Sequence, residues 1–165
     1  MAKVNLVPHE LQLRLVYSST NRQRPVIACI DSTPITGNFL DQILMPKGYK
    51  IEKITDPIQE IGLMTRKIPE LIFIDLAITD VDAYALCNFL RKSTAYKETP
   101  IIIYSGQDSW INRAKAKLAG ATDFLRKPAT SNKILQIVEK YLRVQAKQDQ
   151  SKSNLIMSKS LVLAR

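Results

Sequence analysis

Leu71-Ile72-Phe73-Ile74-Asp75 is a short apolar run that stops on a carboxylate. It has no polar alternation and is rich in β-branched and aromatic residues. That reads as a strand buried on both faces, as in a parallel sheet. The same design recurs three times. Pro25-Val26-Ile27-Ala28-Cys29-Ile30 stops on Asp31, Ile101-Ile102-Ile103-Tyr104 on Ser105, and Asp123-Phe124-Leu125-Arg126 on Lys127, with Pro128 next. In an open parallel sheet the carboxyl ends of the strands share one edge, and ligands bind there. Two carboxylates, a hydroxyl and an ammonium are thereby expected in one crevice, a set suited to holding a divalent cation and accepting a phosphoryl group.

Helical patterns alternate with these strands, the mark of a doubly wound α/β domain. Thr33 is the expected N-cap of a first helix, with Pro34 at its first position, an apolar face of Phe39, Leu40, Ile43 and Leu44, and Gly48 as its stop. Lys50 to Ile54 forms a further strand. Asp56, Pro57 and Gln59 predict a capped second helix with Gln59 completing a capping box. A third helix, about residues 83–92, is expected to bury Leu86 and Leu90, with Cys87 and Phe89 beside them. A fourth, about 110–119, ends at Gly120 and carries Arg113, Lys115 and Lys117 on an exposed basic side. A fifth begins near Ser131 and spaces Ile134, Ile137, Val138 and Tyr141 helically. There are no internal repeats.

A chain of 165 residues suits one domain able to bury roughly two-thirds of its unfolded surface. The expected division is an N-terminal extension (1–24), a domain (25–143) and a C-terminal tail (144–165). Leu11 to Leu15 alternates like a strand, although Pro8-His9-Glu10 before it equally opens a helix. Residues 145–154 read as a linker, and the apolar clusters 154–157 and 161–164 follow it. The net charge is +9, but residues 25–141 hold 15 Lys/Arg against 13 Asp/Glu, only +2. The surplus sits in the two ends, as a solvated tail or a contact for an acidic partner. No nucleic-acid-binding motif accompanies it, so nucleic acid is not the expected partner. Cys29 and Cys87 have no metal or redox spacing and read as buried thiols. No apolar stretch is long enough to span a bilayer, and no secretion signal is visible, so no membrane contact and a cytoplasmic location are expected.

Four motifs together resemble the receiver domains of two-component response regulators. They are Ile30-Asp31-Ser32-Thr33-Pro34, Phe73-Ile74-Asp75-Leu76, Pro100-Ile101-Ile102-Ile103-Tyr104-Ser105-Gly106 and Gly120-Ala121-Thr122-Asp123-Phe124-Leu125-Arg126-Lys127-Pro128. Each is weak alone; their order and spacing, 44 residues from Asp31 to Asp75, 30 to Ser105 and 22 to Lys127, make them strong. The resemblance covers about Pro25 to Leu142. It implies a flavodoxin-like receiver fold with a five-stranded parallel sheet in the order 2-1-3-4-5. It further suggests cyanobacterial receivers attached to pattern-formation and phototaxis regulators.

The resemblance also implies roles. Asp75 would be the phosphoacceptor, attacking in line to form an aspartyl phosphate. Charge neutralisation would come from Mg2+ and Lys127, and Ser105 would donate a hydrogen bond to a phosphoryl oxygen. Asp31, Asp75 and the backbone carbonyl of Ala77 would hold the metal. Phe124 would be the switch aromatic, without the hydroxyl of a tyrosine. A cis peptide is expected at Lys127-Pro128. The departure is Ser32, where the family usually has a second acid that ligates the metal directly. Losing that charge beside a divalent ion costs about 1–4 kcal/mol, so magnesium binding is expected to be weak. Ile78-Thr79 and Asp82-Ala83 replace the family's Met-Pro and Asp-Gly pairs, which implies a different path for the loop after the third strand.

Each residue also has a plainer reading. Asp75 alone could be a solvated acid, Lys127 a structural ion-pair partner of Asp75, and Ser105 a cap for a backbone group. Trp110 either packs on the start of the fourth helix or anchors a partner. Three functions follow. The first is a signalling receiver, no enzyme beyond self-phosphorylation from a phosphodonor. It takes its phosphoryl group from a histidine kinase or phosphotransfer protein and acts on a downstream partner, or as a homodimer, through a face including Trp110, Arg113 and Phe124. The second is a degenerate pseudo-receiver, a phosphorylation-independent binding module. The third, a nucleotide-binding enzyme of the same topology, is disfavoured because Asp31-Ser32-Thr33-Pro34 has no phosphate-cradling glycine.

Overall fold

In the computed structural model, residues 24–64 and 68–143 are described. The strands are β1 (Val26–Ile30), β2 (Lys50–Ile54), β3 (Leu71–Ile74), β4 (Ile101–Ser105) and β5 (Asp123–Arg126), all parallel, in the order β2-β1-β3-β4-β5. The helices between them are α1 (Pro34–Leu44), α2 (Pro57–Met64), α3 (Ala83–Lys92) and α4 (Trp110–Leu118), and residues 131–143 form α5. The expected topology is therefore present. The expectations for His9, the segment 11–15 and the tail 144–165 fall outside the described residues.

The period-2 geometry of the strands divides one sheet between two cores. Ala28, Ile30, Ile72, Ile74, Ile101 and Ile103 face Leu86, Cys87 and Leu90 of α3 and Ala116 of α4. Ile27, Cys29, Leu71, Phe73, Ile102, Tyr104 and Leu125 face Leu40 and Leu44 of α1 and Ile134, Ile137 and Val138 of α5. Central strands covered on both sides have no polar face, which is why their sequences show no alternation. The two cysteines are free and buried, and burial pushes their thiols up, Cys29 to about 12 and Cys87 to about 11.

Several local expectations are corrected. Thr33 stands at the N-cap of α1 with Pro34 after it, but its side chain makes no capping bond, because its hydroxyl turns back to Asp31. Helix α1 ends at Leu44; a 3-10 turn over Met45–Lys47 intervenes before Gly48, whose φ of +89° is the left-handed geometry that glycine tolerates. Asp56 caps the N–H of Gln59, as expected, but the reciprocal carboxylate is Glu60, which accepts from the N–H groups of Asp56 and Thr55. Phe39 and Phe89 face outward, 38% and 61% exposed. Both neighbour truly buried helical positions, and hydrophobic spacing alone could not separate them.

Candidate phosphoacceptor site

Asp31 lies one residue past β1 and Asp75 one past β3. Their backbone N–H groups still bond across the sheet, Asp31 to the Ile54 carbonyl at 3.1 Å and Asp75 to the Ile30 carbonyl at 3.0 Å. Lys127 lies one residue past β5 and donates its N–H to the Ser105 carbonyl at 2.9 Å. Sheet pairing thus carries these residues to one edge. The Lys127-Pro128 peptide is cis, as expected.

The lysine ammonium joins the two acids. Lys127 Nζ is 2.7 Å from Asp75 Oδ2, 3.0 Å from Asp31 Oδ2 and 2.7 Å from Thr36 Oγ1. It also lies 5.1 Å from the centroid of the Tyr104 ring. Both carboxylates are buried, and one cation shared between them offsets their mutual repulsion.

Asp31 is the more heavily bonded acid. Its Oδ1 accepts from the Thr33 N–H at 2.9 Å and the Thr33 hydroxyl at 3.1 Å, and its Oδ2 accepts from Thr36 and Lys127. Burial pushes its carboxyl upward, but the Thr36 hydroxyl, the Thr33 N–H and the Lys127 ammonium outweigh this and hold it below its ordinary value. For Lys127 burial pulls down, while the bonds to Asp75 and Asp31 raise it above its ordinary value. Asp75 is less encumbered: among the described residues its Oδ1 accepts only from the Ala77 N–H, at 3.2 Å. A buried carboxylate with spare lone pairs beside an ammonium is chemically suited to attack an electrophilic phosphorus.

The remaining predicted residues divide. Ser105 is fully buried at the end of β4, and its Oγ accepts from the Gln107 N–H at 3.2 Å. The plainer reading of Ser105 is therefore met, and its hydroxyl proton is left for another acceptor. Ser32 Oγ accepts from the Thr79 N–H at 3.0 Å, linking the turn after β1 to the loop after β3. Phe124, on β5, is partly buried under the Arg113 guanidinium, 4.7 Å from the ring centroid. Arg113 also grips Asp108 through two nitrogens, at 2.6 and 2.9 Å. Trp110 is 79% exposed, so the reading in which it packs on the start of α4 is overturned.

Thr36 and Tyr104 were not foreseen. Thr36 is the third residue of α1, and a hydroxyl in the turn that follows Asp31 was the available signal. Tyr104 read as core, and it is core, since only its ring face reaches Lys127.

Residues 27–139 match the family model described as the response regulator receiver domain. Protein PilG of Pseudomonas aeruginosa is 22% identical over 116 residues, 70% of this chain and 86% of the relative. The DNA-binding dual master transcriptional regulator RpaA of Synechocystis is 27% identical, covering 72% of this chain and 49% of the relative. The chain thus spans only about half the length of some curated relatives. Matches from Mycobacterium and Escherichia coli are 24–28% identical. Among solved structures, the chemotaxis protein CheY4 of Vibrio cholerae superposes with a TM-score of 0.66 at 20% identity, over 71% of this chain and 98% of that one.

Proposed function

Because the chain belongs to the response regulator receiver domain family, we propose that it accepts a phosphoryl group on Asp75 and signals through protein contacts. Receiver domains of two-component systems are signalling modules that interact with histidine kinases or phosphotransfer proteins and generally hold Mg2+ at the phosphorylation site. The observation that carries the proposal is the position of Lys127, within 2.7 Å of a buried Asp75 at the carboxyl edge of the sheet. An Asp75 oxygen attacks phosphorus, the bond to the donor imidazole breaks, and the imidazole leaves with a proton while an acyl phosphate forms. Lys127 redirects N–H groups from Asp75 to the new phosphoryl oxygens, and the Ser105 hydroxyl donates to another. The chain catalyses nothing beyond its own modification.

The residues fit magnesium, though sparsely. The Asp31 and Asp75 carboxylates and the Ala77 carbonyl are hard oxygen donors, and magnesium retains several waters beside one or two carboxylates. Among the described residues no cluster of three or more His, Cys, Asp or Glu side chains could hold a metal. Ser32 brings no charge, and both carboxylates already share Lys127, so binding is weak. When bound, magnesium neutralises charge on the transferring phosphoryl group.

The signalling face comprises Trp110, Arg113 and Phe124. An exposed tryptophan beside an arginine has the composition of an interface centre. The partner is a protein, either a downstream effector or a second copy. The surplus charge lies outside residues 25–141, so nucleic acid is not part of the proposal. No helix among the described residues is long and apolar enough to cross a membrane, and the family's signalling role suggests the cytoplasm.

A second reading, the pseudo-receiver, is favoured by the saturated Asp31 carboxylate and by Ser32, which is engaged as a loop tie. The two readings separate on one experiment, exposure of the protein to acetyl phosphate and magnesium. A phosphoryl adduct that Asp75→Asn abolishes supports the receiver; its absence supports the pseudo-receiver.

A further inference from the structure

Thr36 occupies a position between the charges of the pocket. Its hydroxyl donates to Asp31 Oδ2 and accepts from Lys127 Nζ at 2.7 Å. A carboxylate offers about four lone-pair sites. On Asp31 all four have protein donors: the Thr33 N–H, the Thr33 hydroxyl, the Thr36 hydroxyl and Lys127. Lys127 likewise has three N–H donors and three oxygen partners, in Asp31, Thr36 and Asp75. Thr36 completes both sets.

We propose that Thr36 is a positioning residue that ties Lys127 to Asp31 and so limits how tightly the pocket takes a divalent cation. The inference rests on the proposed site only in taking Asp31 as a cation-facing acid. With a neutral serine at position 32, Asp31 is the acid left to share a cation with Asp75. A cation can reach it only by displacing one of its four donors. The Thr33 N–H is fixed in the turn and Lys127 is held by charge. The Thr33 and Thr36 hydroxyls can each be removed without removing a charge, and of the two only Thr36 bonds the same Asp31 oxygen as Lys127 and also accepts from Lys127. Thr36 also lines an open groove with Ile35, Phe39, Tyr104, Lys127 and Pro128.

Titration of magnesium chloride into the full chain by calorimetry tests this. Thr36→Val keeps the side-chain shape and removes the hydroxyl, and Thr36→Ala removes the branched bulk as well. Both are expected to bind magnesium on the order of tenfold more tightly than the native protein, the fold-change of one lost competing hydrogen bond. Thr36→Ser keeps the hydroxyl and is expected to match the native protein. Unchanged or weaker binding in the folded Val or Ala variant overturns the proposal. So does the absence of magnesium binding in every form, or serine behaving like valine. Phosphorylation by acetyl phosphate is read separately by mass on the same samples. Its failure alongside the expected shift in magnesium affinity would remove the phosphoacceptor reading alone and leave the role of Thr36 standing.

Discussion

The hydroxyl oxygen of Ser32 accepts the backbone N–H of Thr79 at 3.0 Å, and the two side-chain oxygens lie 3.4 Å apart. The residue that departs from the family pattern after β1 thus meets a residue of the segment that departs from it after β3. In place of a charge offered to a cation, position 32 offers a tie between two loops.

Restoring the acid should reverse that exchange. Ser32→Asp is expected to tighten magnesium binding by roughly tenfold or more, since it adds a full charge beside the ion. Calorimetry of the native and variant proteins reads the difference directly. Equal, tight binding in both would mean that another ligand already compensates.

The shared ammonium should matter to the fold as well as to the chemistry. Lys127→Met leaves Asp31 and Asp75 buried without their common cation and is expected to lower stability by about 2 kcal/mol or more. Adding Asp75→Asn to that variant removes one of the two repelling charges and should recover part of the loss. Urea unfolding of the two single variants, the double variant and the native protein gives the coupling.

Asp31 gives the pH dependence a sign. Its carboxyl is held below its ordinary 3.8: burial raises it, while the bonds from Thr36, Thr33 and Lys127 lower it further. The contribution is fully present above pH 3.8 and is lost as pH falls through the depressed folded-state value. Lys127, raised above 10.5, loses its contribution only as pH rises past that value. The stability difference between the native protein and Asp31→Asn should be flat across neutrality and shrink below pH 3.8. Unfolding midpoints measured against pH check this.

Four strands and the placement of Asp31, Asp75, Ser105 and Lys127 at one edge were legible because each of those strands ends on a polar residue, and parallel topology carries strand ends to one edge; the strand order came from the resemblance to receivers. Less was legible where the outcome depends on side-chain direction. Thr33 looked like a cap and became a ligand of Asp31. Glu60, rather than Gln59, closes the capping box, because one further residue along the helix places its carboxylate nearer the free N–H groups. The solvent-facing positions of Phe39 and Phe89 are set by helix rotation over the sheet. The part of Thr36 rests on a three-way contact that no linear spacing announces.

On the α4 face, Trp110→Ala and Arg113→Glu are expected to weaken partner binding or self-association and leave the fold intact. The tryptophan is 79% exposed, and the Asp108–Arg113 pair lies at the surface, where ion pairs add little to stability. Light scattering across a concentration series, with circular dichroism as the fold control, measures both. Association unchanged in both variants would move the interface elsewhere.

The proposed function turns on transfer of a phosphoryl group to Asp75. Intact-mass spectrometry after incubation with acetyl phosphate and magnesium tests it most directly. The native chain is expected to gain the mass of one phosphoryl group, Asp75→Asn none, and Lys127→Met a reduced yield. A native protein that gains no such mass, or an Asp75→Asn variant that gains it equally, would rule out Asp75 as the phosphoacceptor.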